Sequence, residues 1–251
     1  ELTAALELYR AQLGPDSTEV ANCELALSQA GQYRGDYAAA QAHAERAERI
    51  YAARGGAAHP RRGEALMAVG VLRFMRKDFA GSLAAYEAAY PILRAALGDE
   101  HTTVSFLLSN LGETLLALDR AEPARRRFEQ ALDALQRSLG SEHADLAFPL
   151  KGLGLAHLGL GRPRAALAPL ERALALRTGS AAASDPQELA EIRWALARTL
   201  RALGREPARA RDLAEAAAAG YRGLGAELAG RVEEIARWLA AGARRPAAGR
   251  P

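Results

Sequence analysis

Hydrophobic residues in this chain recur at the spacing of one helix face, and the same face returns after a fixed interval. Leu108, Leu111, Leu115 and Leu118 step by three or four residues, which puts their side chains on one side of an α-helix. A short polar break at Asp119-Arg120 follows, and then a second apolar stripe through Ala124, Phe128 and Ala131. Two amphipathic helices joined by a tight turn are the predicted unit. Strands are not expected, because β-branched residues are sparse and alanine and leucine dominate outside the Gly and Pro punctuation.

The unit repeats. Glycines at 14, 56, 98 and 140 each fall 42 residues apart, in segments that read Leu13-Gly14-Pro15-Asp16-Ser17, Gly55-Gly56-Ala57-Ala58-His59, Leu97-Gly98-Asp99-Glu100-His101 and Leu139-Gly140-Ser141-Glu142-His143. One further step carries His143 to Asp185, which precedes Pro186 as His59 precedes Pro60. First helices carry a small-residue column, Ser28, Gly70, Gly112 and Gly154, suited to close approach of another helix. The breaks fall at Gly35-Asp36, Lys77-Asp78, Asp119-Arg120, Gly161-Arg162 and, one residue late, Gly204-Arg205. Second helices carry two small columns, Ala40, Ser82, Ala124, Ala166, Ala208 and Ala47, Ala89, Ala131, Ala173. A large column of Tyr86, Phe128 and Leu170 lies between them, with Ala44 in the first unit and Asp212 in the last. Small and large residues alternating at fixed phase let one hairpin stack on the next, each burying its stripe only against its neighbours.

These columns resemble the tetratricopeptide repeat, and the 42-residue period with its Leu-Gly-x-x-His connector is similar to the kinesin-light-chain variety. The resemblance covers about residues 1–222. It implies an all-α, right-handed superhelical solenoid of antiparallel helix hairpins, with repeats at 17–55, 59–97, 101–139, 143–180 and 185–222. Residues 1–13 supply only the second helix of a truncated repeat, so further repeats are expected upstream. Leu228 to Ala241, with Val232, Ile235, Trp238 and Leu239, reads as a capping helix within 225–241. The Gly/Pro/Arg-rich stretch 242–251 reads as a disordered tail. Pro91, well inside a helix, predicts a kink.

Composition narrows the chemistry. Basic residues exceed acidic ones by only three, and Lys77 and Lys151 are the only lysines. Arg61-Arg62, Arg125-Arg126-Arg127 and Arg244-Arg245 are interspersed with acidic residues, so solvated helix faces account for them better than a nucleic-acid surface. One cysteine, Cys23, excludes an internal disulfide framework and fits a reducing, cytoplasmic setting. No run reaches the roughly 20 apolar residues of a membrane span. His59, His101 and His143 share one repeat column and stand a full repeat apart, so they are expected at inter-repeat turns and not around one ion; no metal or other cofactor is expected. No nucleophile elbow, phosphate loop or kinase motif occurs, so no catalytic residue is assigned.

What remains is the groove that first helices line in this kind of repeat. By that analogy its side chains are Asn22, Gln29 and Tyr33; Glu64, Met67, Val71, Phe74 and Met75; Phe106, Ser109, Asn110 and Glu113; Phe148, Lys151 and Leu155; Arg193, Trp194 and Arg201. Phe74, Phe106, Phe148 and Trp194 are the expected apolar anchors, and Asn110, Glu113, Lys151 and Arg201 the polar contacts, for a peptide segment. Asn110 and Lys151 partly match the clamp that some relatives close on a terminal carboxylate. The runs 145–154, 170–177 and 189–198, with Trp238-Leu239-Ala240, resemble the C-terminal repeat region of large myxobacterial serine/threonine protein kinases. That resemblance implies a module that recruits substrates or regulators to a kinase; a free-standing adaptor or peptide receptor is the other reading. The partner in either case is a protein segment, with no nucleic acid or membrane insertion, and the chain is expected to be monomeric or weakly self-associating.

Overall fold

The computed structural model describes residues 1–56, 58–179 and 185–243 of the chain. Twelve α-helices are present among them: α1 (Leu2–Leu13), α2 (Thr18–Tyr33), α3 (Tyr37–Gly55), α4 (Pro60–Met75), α5 (Phe79–Leu97), α6 (Thr102–Ala117), α7 (Ala121–Leu139), α8 (Ala147–Gly159), α9 (Pro163–Gly179), α10 (Pro186–Leu203), α11 (Pro207–Leu224) and α12 (Ala229–Ala243). They fall into two compact units, Glu1–Ser138 and Leu139–Pro251. Residues 244–251, expected to form a tail, lie outside the described residues.

Each first helix starts on a side chain from one column. Ser17 accepts from the Val20 amide at 3.3 Å, and His59, His101 and His143 accept through Nδ1 from the amides two residues on, each at 3.2 Å. Asp185 accepts from Gln187 at 2.8 Å. Five residues 42 apart thus perform one task, satisfying donors that the first turn of a helix leaves without partners. Behind His143 a short 3-10 turn, Ala144–Leu146, leads into α8. The helix starts explain four prolines: Pro60, Pro163, Pro186 and Pro207 open their helices, where no intrahelical donor is lost. Pro91 lies inside α5, which continues through it; Glu87, whose carbonyl loses its helical donor to the proline, is an exposed residue.

The turn inside each hairpin is equally regular. Gly35, Lys77, Asp119, Gly161 and Gly204 all adopt a left-handed backbone, with φ between 58° and 78°. Glycine takes this conformation at no steric cost, whereas Lys77 and Asp119 take it against their own preference.

Small and large columns meet inside the hairpins. A Cβ on Gly70 would stand 2.4 Å from the Tyr86 ring, one on Gly112 2.8 Å from Phe128, and one on Gly154 2.3 Å from Leu170. Tyr86, Phe128 and Leu170 are all fully buried. The aromatic or leucine side chain of the second helix therefore occupies the space that glycine leaves on the first.

The fifth hairpin departs from this plan. α10 runs to Leu203, so the turn comes late and the buried face of α11 moves with it. Ala210, Ala214 and Ala217 are buried, whereas Ala208 and Asp212, assigned to the small and large columns by their spacing, are exposed. The position equivalent to Gly154 is Leu196, fully buried in a cluster with Leu200 and Ala210. Bulk has moved from the second helix to the first. α12 packs on α11, with Ile235 fully buried and Val232, Trp238 and Leu239 partly so.

Candidate peptide-binding surfaces

In the first unit, α4 and α6 carry the expected residues. The inward face of α6 is consumed by packing: Leu107, Leu108, Leu111, Gly112 and Leu115 are buried. Phe106, Asn110 and Glu113, spaced to share the other face, are half-buried. Ser109, expected beside them, is fully buried and donates its hydroxyl to the Ser105 carbonyl at 3.1 Å. On α4, Phe74 is half-buried with its ring edge-on to Phe79 at 5.2 Å, and Met75 is 47% exposed. Glu64, Met67 and Val71 are half-buried on the same helix. On α2, Gln29 is exposed, Tyr33 is 93% exposed, and Asn22 accepts from the Tyr51 hydroxyl at 2.7 Å. Burial, followed by the Glu113 carboxylate, raises the Tyr86 hydroxyl pKa above its usual range, so Tyr86 stays neutral beneath this surface.

In the second unit two expected contacts prove to be internal. Lys151 is 5% exposed and donates to Glu191 at 2.6 Å, with its ammonium 5.0 Å from the centre of the Phe148 ring. A lysine held in this way has its charge balanced within the chain. Beside it Glu188 pairs with Arg177 at 2.5 Å. Burial pushes the Glu188 carboxyl above its usual range, and Lys151 and Arg177 pull it partly back. Trp194, expected as an anchor, is 5% exposed and packs edge-on against Trp238 of α12 at 5.2 Å. It is a core residue because the capping helix covers it. Arg201 lies 4.3 Å over the Trp238 ring and donates to the Trp238 carbonyl at 2.6 Å, so its charge is anchored at the edge of α12. Phe148, Leu155 and Arg193 are half-buried.

Sequence reasoning missed Arg164, Arg198 and Arg205, which stand exposed in the second unit. Arg205 follows the left-handed turn residue Gly204, as Arg162 follows Gly161, a coincidence of columns that would have drawn attention to this end of the hairpins. It also missed Glu24. Leu66, Leu108, Leu150 and Ile192 occupy its column, yet Glu24 is fully buried and is held by Arg10 at 2.7 Å, His43 at 2.6 Å and Arg46 at 3.3 Å. Among the described residues no helix is long and apolar enough to cross a membrane.

Comparison with known proteins agrees with this architecture. Residues 61–137 and 107–179 match the tetratricopeptide-repeat family model. Comparison with curated protein sequences finds no match. Among solved structures, BtubC (BKLC) from P. vanneervenii is similar at 20% identity and a TM-score of 0.70, over 100% of this chain and 93% of that one. A putative kinesin light chain from Podosopora anserina, with nearly identical TPR-like repeats, matches at 21% identity and a TM-score of 0.63, over 79% of this chain and 93% of that one. The apo form of RapI matches at 16% identity and 0.65, over 97% and 92%. The family match lies in the middle of the chain, and the fold of the chain is that of these all-helical repeat proteins.

Proposed function

We propose that this repeat chain is a protein-interaction scaffold that holds a segment of a partner protein against first-helix side chains. The observation that carries the reading is α6, whose packing face is fully used while Phe106, Asn110 and Glu113 stay within reach of a ligand on the other. Phe74 and Met75 at the end of α4 add apolar surface on the same unit. Half-exposed aromatics beside a few polar groups are the composition of peptide-binding surfaces. Lys151 and Trp194 support the scaffold from within the second unit and do not touch the ligand. The double substitution Asn110→Ala with Glu113→Arg is expected to weaken capture of a partner from a lysate of the source organism at least tenfold, compared at a temperature where circular dichroism shows both chains folded. Undiminished capture would place binding elsewhere.

The finer reading is that the array belongs to a cytoplasmic bacterial serine/threonine protein kinase and recruits its substrates or regulators. Its support is the resemblance of residues 145–154, 170–177 and 189–198 to such arrays. The gene's upstream sequence decides it: a Gly-rich loop and a His-Arg-Asp segment are expected there, and their absence would leave a free-standing adaptor. The isolated chain is expected to be monomeric or weakly self-associating and to bind no ATP, which light scattering and nucleotide titration measure.

A further inference from the structure

The second unit carries a surface that none of the columns above describes. Three adjoining recesses open around the turns between α8 and α9 and between α10 and α11, and along α12; Arg205 lines two of them, and Arg201 and Trp238 line another pair. Arg162, Arg164, Arg198, Arg201 and Arg205 surround them, and among the described residues no Asp or Glu lines any of the three. Glu206 and Glu171 pair with Arg209, and Glu215 with Arg211. Arg164, Arg198 and Arg205 are exposed and make no ion pair among the described residues. Apolar side chains stand among them. Leu158, Pro163 and Trp238 line one recess, and the Trp238 side wall continues into another of about 270 Å³.

Three exposed guanidinium groups without counter-charges among the described residues give this end of the hairpins a positive field that an anionic partner would offset. The chain's own C-terminal stretch cannot do so, since residues 242–251 contain Arg244, Arg245 and Arg250 and no acidic residue. We infer that this surface docks an acidic segment of a partner protein, in which Asp and Glu side chains meet Arg164, Arg198 and Arg205 and an apolar side chain rests against Trp238. The proposal rests on the interaction-scaffold reading and adds a second surface with a stated ligand chemistry. Planar guanidiniums suit carboxylates in paired hydrogen bonds, and the apolar side chains give an extended acidic chain a fixed register.

The test uses the intact chain and a fluorescein-labelled peptide, Asp-Glu-Asp-Leu-Asp-Glu-Leu-Asp-Glu, followed by anisotropy. A matched peptide carrying Asn and Gln in place of Asp and Glu, and a single-stranded oligonucleotide, serve as competitors. The acidic peptide is expected to bind at low salt, to lose at least tenfold in affinity in about 0.5 M salt, where screening acts within a few ångströms, and to resist both competitors. Arg164→Glu with Arg205→Glu, two exposed positions, should weaken it at least tenfold without shifting the melting temperature. Asn110→Ala with Glu113→Arg should leave it unchanged. Failure of the acidic peptide to bind, equal binding by the charge-reversed chain, equal binding of the neutral peptide, or displacement by the oligonucleotide would each overturn the proposal. If only the α6 variant weakens the peptide, this surface is wrong and the first-helix reading stands.

Discussion

At the scale of single residues, one column shows how different chemistries meet the same demand. Serine, histidine and aspartate share the positions 17, 59, 101, 143 and 185, and each offers a lone pair to the amides opening a first helix. Replacing His101 by Leu should cost about 1 kcal/mol by leaving an amide unsatisfied. His101→Asp should be at least as stable as the parent, because a carboxylate accepts equally well and favours the positive end of the helix dipole. Denaturant unfolding of both variants measures this, and an Asp variant as weak as the Leu variant would remove the cap from the account. Glu188 supplies a second residue-level expectation. Its raised carboxyl pKa means that its favourable contribution is complete below the ordinary carboxylate range and is lost as pH rises through the raised value. As pH rises from the ordinary carboxylate range through the raised value, the parent should therefore lose stability relative to Glu188→Gln; a difference between the two melting temperatures that does not change with pH would contradict it.

At the scale of elements, the glycine columns make a sharper claim. Gly112 is small because the Phe128 ring fills the place its side chain would take. Even Gly112→Ala should destabilise the first unit by about 1–3 kcal/mol through overpacking, despite the better helix propensity of alanine. Phe128→Leu in the same chain should recover part of that loss, and additive effects in thermal unfolding would show that the two positions do not share one space. The hairpins were legible in the sequence because period, turn and small-residue columns all serve the same contacts. The fifth hairpin was legible only in part: the break one residue late and Asp212 in a column of large residues were visible signs, but spacing alone could not show that the buried face of α11 had moved to Ala210, Ala214 and Ala217.

At the scale of the molecule, a repeat fold separates structural from available surface, and sequence columns reveal the first better than the second. Phe106, Asn110 and Glu113 are half-buried on the side of α6 away from its buried leucines, as the helical spacing places them. Lys151 and Trp194 occupy first-helix positions of the same kind, yet Glu191 neutralises the lysine and α12 covers the tryptophan. Those partners come from other helices, 40 or more residues away in the chain, beyond the reach of a helix-face argument. The central claim, that a partner segment lies against first helices, is tested most directly by amide hydrogen exchange of the chain with and without a partner recovered by affinity capture. The account predicts that the partner slows exchange in α4 and α6, with α5 and α7 unchanged. Protection confined to α5 and α7, with α4 and α6 exchanging as in the free chain, would contradict it.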